Sequence, residues 1–196
     1  MGNNAAHGGK WHAGERQPVA RRKAGLRPID QSSAKGRRSP PHNAASSRAS
    51  FAAVDLGTNN CRLLIAEPLD QGFQVIDAFS RIVRLGEGLS AQGSLSEAAM
   101  ARTISALRVC AGKMRRHRVE QARCIATDAC RRASNCDVFI DRVARETGIT
   151  LDIISPREEA QLVLAGSQPL LDPDTPWALL FDIGGGSTEL VWMRLD

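Results

Sequence analysis

The stretch FAAVDLGTNNCRLLIA, residues 51–66, decides how the rest of the chain is read. Phe51 to Asp55 is an apolar run of strand length that ends in an acid. Leu56 to Asn60 is a tight turn, and Cys61 to Glu67 returns as a second strand. Gly57 permits a backbone conformation that other residues resist. Thr58, Asn59 and Asn60 bring hydroxyl, amide and backbone N–H donors, and a concave run of N–H groups suits an anion. Asp55, at the strand's carboxyl end, is placed to orient a cation or a metal-bound water.

The same pattern returns 127 positions later in WALLFDIGGGSTELV, residues 177–191. An apolar strand from Trp177 runs to Asp182. A turn of Gly184, Gly185, Gly186 and Ser187 follows, then a return strand from Thr188 to Leu195. Three consecutive glycines let the backbone approach a phosphate closely, and Ser187 and Thr188 add hydroxyls. Asp182 and Glu189 are hard oxygen ligands of the kind Mg²⁺ takes one or two at a time beside substrate phosphates. A glycine run also suits a plain hairpin turn. The flanking acids and the internal repeat favour anion chemistry.

Between the two turns the pattern predicts a third strand, Phe73 to Ser80, so the chain opens with a three-stranded meander. Leu85 to Leu89 (LGEGL) reads as a glycine-punctuated loop. Ser96 is the expected N-cap of an amphipathic helix over Glu97–His117, with Met100, Ile104, Leu107, Ala111 and Met114 at helical spacing toward the core. A strand over Ala122–Thr127, a helix over Asp137–Thr147 closed by Gly148, a strand over Leu151–Ile154 and a helix over Pro156–Gly166 follow. The order β-β-β-α-β-α-β-α is one ribonuclease-H-like unit. Residues 51–167 form the expected first domain. Residues 168–196 are the start of a second domain, a truncated hairpin that lacks its own sheet and helices.

The chain has 196 residues, 42% of them hydrophobic, and a net charge of +5. Residues 1–50 carry ten Lys/Arg against two Asp/Glu, a net of +8, so the remainder is net −3. That basic segment is rich in Gly, Pro, Ser, Asn and Arg and holds almost nothing large and apolar. It is expected to be disordered, and contact with nucleic acid is expected only through its charge. Five cysteines at 61, 110, 124, 130 and 136 form no CxxC pair, which argues against a zinc site or a disulfide scaffold. No membrane-length apolar run and no secretory signal stand in the sequence. A cytoplasmic protein with no membrane partner is expected.

DLGTNNCRLLIA, LGEGL, ATDACRRASN, ISPREEAQL and DIGGGSTELV occur in that order over nearly all of residues 51–196. In this the chain resembles the exopolyphosphatase/guanosine pentaphosphate phosphohydrolase (Ppx/GppA) family. The resemblance implies an α/β fold, an actin-like ATPase (ribonuclease-H-like) domain with a truncated second domain. It implies Glu159 as the glutamate that activates the attacking water. It matches Asp182 and Glu189 to metal- and phosphate-side carboxylates, and Asp55 to the start of the first phosphate loop. Gly57, Thr58, Asn59 and Asn60 match one phosphate loop, and Gly184, Gly185, Gly186, Ser187 and Thr188 the other. Arg131 matches an arginine lining the cleft. Two departures stand out: the family commonly reads Ser-Asn-Ser where this chain has Thr58, Asn59 and Asn60, and family members continue well past residue 196.

The residues agree in kind with those roles. Glu158 and Glu159 open a helix, where the dipole favours ionised carboxylates, although acids there are common without any function. Arg131 can grip phosphate oxygens in a fork, although Arg131 and Arg132 also suit a solvated face. The leading expectation is hydrolysis of the terminal phosphoanhydride of inorganic polyphosphate with Mg²⁺ as cofactor, in a homodimer if the protein is full length. Guanosine pentaphosphate 5′-phosphohydrolase activity is the alternative on the same site. A sugar kinase or chaperone-type ATPase of the same superfold would need an adenosine-binding segment that this chain lacks. A phosphate-binding fragment without turnover is the reading from a different class.

Overall fold

Alternation of apolar residues builds the sheet. In the computed structural model, which describes residues 49–172 and 174–194, β1 (Phe51–Leu56) buries Ala52, Val54 and Leu56 and turns Phe51 and Ala53 outward. Its neighbour β2 (Asn60–Pro68) buries Cys61, Leu63 and Ile65 on the same face. The central strand is thus covered on one face rather than both. The basic segment expected to be disordered, residues 1–50, lies outside the described residues except for Ala49 and Ser50.

β1, β2 and β3 (Phe73–Ile82) form the antiparallel meander. β4 (Gln121–Ala126) lies parallel to β1 on its other side, and the short β5 (Asp152–Ile153) lies parallel to β4. The order β3-β2-β1-β4-β5 is that of a ribonuclease-H-like unit, the α/β actin-like ATPase fold. The carboxyl ends of β1 and β4 lie side by side, the place where open α/β sheets bind ligands.

The long helix α2 (Glu97–Arg116) begins at Ser96, whose hydroxyl accepts from the Ala99 amide at 3.2 Å. It buries Met100, Ile104, Leu107 and Ala111 as the spacing requires, with Met114 half-buried beside them. α4 (Cys136–Thr147) lies against α2 and ends at Gly148, whose φ of 74° is the left-handed cap expected there. α5 (Pro156–Ser167) starts at Ser155, whose hydroxyl accepts from the Glu158 amide at 3.2 Å.

Two one-turn helices stand where loops are expected. α1 (Leu89–Gln92) is bracketed by Gly88 and Gly93, both left-handed, so the glycines that suggest a loop instead close a single turn. α3 (Asp128–Arg132) follows β4 directly. Neither is long enough to carry a readable periodicity. A 3₁₀ turn at Gln168–Leu170 leads to β6 (Trp177–Ile183) and β7 (Thr188–Arg194), an antiparallel pair that forms a separate two-stranded sheet.

The meander is tied to α2 by one carboxylate. Asp77 on β3 accepts from Lys113 Nζ at 2.7 and 2.8 Å and meets His117 Nε2 at 2.9 Å, with Arg116 at 3.4 Å. The Lys113 hydrogen bond foremost, with His117 helping, pulls its pKa from 3.8 down to about 2. A depressed carboxyl stabilises the fold above its unfolded pKa and loses that effect as pH falls through the folded one. Asp77→Asn should therefore lower the melting temperature at pH 7. The gap from wild type should close between about pH 4 and pH 2, as followed by circular dichroism. A gap that stays constant over that range would dissociate Asp77 from acid stability.

Candidate functional site

The first turn owes its shape to bonds made behind it. The Gly57 amide donates to the Asn60 carbonyl at 2.9 Å, closing the turn. The Asn59 carbonyl accepts from the Val83 and Arg84 amides at 2.8 and 3.0 Å, and the Thr58 carbonyl accepts from the Gly86 amide at 3.0 Å. Those carbonyls are engaged with the segment after β3, so they do not meet an anion held at the turn. The LGEGL motif contributes here: a methyl at Gly86 would overlap Thr58 Cγ2.

The second turn repeats the closing bond of the first. The Gly184 amide donates to the Ser187 carbonyl at 2.9 Å, as Gly57 does to Asn60. Asp55 pairs across its hairpin with Arg62, and Asp182 pairs across the other with Glu189. The 127-residue repeat seen in the sequence is thus a repeat of hydrogen bonding and register. Its charges differ. Arg62 Nη1 lies 3.8 Å from Asp55 Oδ2, whereas Asp182 faces an acid.

The two turns meet. A Cβ on Gly185 would stand 2.8 Å from Asn59 Cβ, so only glycine allows this approach. Gly186 abuts Thr58 and Asp128. Around the seam opens a cleft of about 320 Å³, walled by both turns and by Asp55, Asp182 and Glu159, together with Arg62 and Thr127. At the seam the Thr58 hydroxyl is buried with no hydrogen-bond partner among the described residues, a state that costs about 1–3 kcal/mol unless a ligand supplies the bond. A phosphate oxygen suits that vacant donor.

Of the residues singled out in the sequence, Gly57, Thr58, Asn59, Asn60, Gly184, Gly185 and Ser187 line the cleft, as do Asp55, Asp182 and Glu159. Gly186, Thr188, Glu189 and Arg131 lie outside its lining. Glu189 is near enough to Glu159 for its charge to raise the latter's pKa. Arg131 sits behind Glu159: its Nη1 donates to Glu159 Oε2 at 2.8 Å and to the Ile154 carbonyl at 2.9 Å. Both partners of this ion pair are largely buried. Arg131 therefore grips the glutamate, with its Nη2 edge unpaired among the described residues.

Burial raises the Glu159 pKa above the ordinary glutamate value, Arg131 opposes that, and the charges of Glu189 and Asp55 add to it. Asp55 is raised as well, first by burial, with Arg62 opposing and Asp182 adding. A cleft in which neighbouring acids push up the pKa of Asp55 and Glu159 is a natural seat for a cation. Among the described residues no three acid, His or Cys side chains close a metal cage. Mg²⁺ does not need one, since one or two carboxylates plus phosphate oxygens and water complete its shell. The donors present fit that mode, with Asp55 and Asp182 as the residues that would hold it.

The sequence reading missed Arg62 and Thr127. Arg62 was within reach of it, because a turn closed at Gly57–Asn60 sets residue 62 opposite residue 55. Thr127 depends on β4 lying parallel to β1, which no local signal announces. Its amide donates to the Leu56 carbonyl at 3.1 Å, which fixes it beside the first turn.

A family model for the Ppx/GppA phosphatase family matches residues 64–195. The structure is similar to the Ppx/GppA family member from Aquifex aeolicus, with a TM-score of 0.66 and 32% identity over 74% of this chain and 47% of that one. It is likewise similar to an exopolyphosphatase from Cytophaga hutchinsonii, with a TM-score of 0.71 and 30% identity over 75% of this chain and 47% of that one. The chain spans about half the length of these matched structures.

If the segment after β3 shapes the first turn, Gly86→Ala should disturb it. We expect a loss of about 1–3 kcal/mol in urea unfolding, the usual cost of overpacking. Weaker binding of orthophosphate by calorimetry should accompany it. Unchanged phosphate affinity in a folded variant would remove Gly86 from the architecture of the site.

Proposed function

The chain belongs to the Ppx/GppA phosphatase family, and from that premise we propose that it carries the reaction centre of a phosphohydrolase that releases orthophosphate from the end of inorganic polyphosphate. The observation that carries this reading is the single cleft in which both glycine-rich turns and Glu159 meet.

The amides of the two turns, with the Thr58 and Asn59 carbonyls held by the segment after β3, cradle the terminal phosphoryl group. Asp55 and Asp182 are the residues that would hold Mg²⁺, whose contribution would be to neutralise charge on the phosphates. Glu159 accepts the proton of the attacking water. Its raised pKa suits that role, because a base works best with a pKa near the operating pH. Arg131 fixes the orientation of the carboxylate and keeps it from becoming too basic. Phosphoryl transfer asks mainly for position and charge neutralisation, and this set supplies both.

The same centre suits a guanosine pentaphosphate 5′-phosphate, which carries the same terminal phosphoanhydride, and that nucleotide is the second substrate reading. The name of the Cytophaga hutchinsonii relative, an exopolyphosphatase, favours the first. The cytoplasm is the compartment this reading assigns, with five buried free thiols in keeping with reducing conditions. Among the described residues no helix is long and apolar enough to cross a membrane. Residues 168–196 are read as the opening hairpin of a second domain, and a homodimer is the assembly proposed for the whole protein.

Full-length protein carrying Glu159→Gln should lose about 10²- to 10⁴-fold in kcat on polyphosphate. In the wild type, kcat/KM should rise with pH as Glu159 ionises, with its acid limb centred above the ordinary glutamate value of 4.5. Arg131→Met should move that limb higher still, because a counter-charge is lost. Phosphate release that is indifferent to Glu159→Gln would sink the assignment.

A further inference from the structure

Resting on the polyphosphate reading above, we propose that Arg84 forms a second anion subsite beyond the Asn59–Gly185 seam, which takes phosphates distal to the one being cleaved and makes binding depend on chain length.

A second hollow of about 350 Å³ lies against the cleft. Thr58, Asn59 and Gly185 line both, so the seam between the turns is their common wall. The remaining lining is Arg84, Gly86 and Glu87. Both hollows open to solvent, so a linear phosphate chain whose end sits in the cleft and that runs over the outer rim of this wall meets Arg84 next. A substrate whose phosphates end at the seam does not reach it.

Arg84 is built to offer its charge there. Its φ is 49°, a conformation uncommon for a residue with a Cβ. Three bonds hold it so. Its amide donates to the Asn59 carbonyl at 3.0 Å, and its carbonyl accepts from Arg102 Nη2 and from the Glu87 amide, each at 3.1 Å. The backbone that carries the guanidinium is therefore tied directly to the phosphate turn. Strained backbone that its surroundings hold in place clusters at ligand clamps.

The charge balance points the same way. Glu87 is the acid on that wall, and Arg102 pairs with it at 2.7 Å. The Arg84 side chain is exposed, and among the described residues no carboxylate pairs with it. Arg102 thus neutralises the competing anion and braces the loop, and Arg84 keeps its full charge for an incoming one. A guanidinium suits successive phosphate groups because it presents several donors in a plane.

The test uses full-length protein in a Glu159→Gln background, so that ligand is not consumed, and measures equilibrium binding of long-chain polyphosphate and of tripolyphosphate. We expect the long chain to bind more tightly. Arg84→Ala should weaken the long chain roughly tenfold to a hundredfold, the range for one charge-assisted contact, and tripolyphosphate much less. Arg84→Lys should recover part of the loss, which a merely structural defect at this backbone position would not. In the active enzyme the same change should appear in KM for long chains rather than in kcat. Hydrolysis of polyphosphate with the same length dependence in Arg84→Ala would uphold the reaction and overturn the subsite. Length-dependent binding that Arg84→Ala abolishes, with no phosphate released by the wild type, would uphold the subsite and overturn hydrolysis. No preference for the longer ligand in the wild type would overturn the subsite outright.

Discussion

The whole arrangement depends on where two carbonyls point. A turn can hold an anion only if its N–H groups face the ligand and its C=O groups do not, since a carbonyl oxygen is itself partly negative. At Thr58 and Asn59 this is secured from behind by the amides of Val83, Arg84 and Gly86. That segment emerges from β3, the edge of the meander, so the five-stranded sheet is the frame on which the first turn is set. Asp77 joins the same strand to α2 and to the core beneath. Packing, through these few bonds, reaches as far as the chemistry.

The second constraint is electrostatic. Two hairpins of matching geometry bring their aspartates to one cleft, yet Asp55 has a cationic neighbour in Arg62 and Asp182 has an acidic one in Glu189. A perfectly duplicated turn would be symmetric. The difference in one cross-strand partner puts a cation beside Asp55 and an acid beside Asp182, so the two turns are alike in shape and unlike in charge. Glu159 enters from a third direction, at the start of α5, with Arg131 behind it.

Much of this was readable before any coordinates. The strands of the meander, the capped helix from Ser96 and the αL glycine at 148 each carry a local signal, and the structure has them within a residue or two. The short helices α1 and α3 escaped because a single turn has no period to detect. The role of Arg131 changed most. From sequence it is a cation beside a phosphate site, but three-dimensional packing buries it against Glu159, and no spacing rule joins residues 28 positions apart on different elements. The one-sided burial of β1 was also hidden, because a short run with alanines reads alike whether one or both faces are covered.

The contact between Gly185 and Asn59 reaches beyond this molecule. It leaves no space for a side chain at one position unless the other yields. Over evolutionary time, therefore, residues 59 and 185 are not independent characters. A lineage that acquires alanine or serine at 185 must first, or simultaneously, accept something smaller or shifted at 59, and the intermediate with only one change bears the cost. Such a pair should drift in step, and its joint history would record how closely the two matching turns have had to press together.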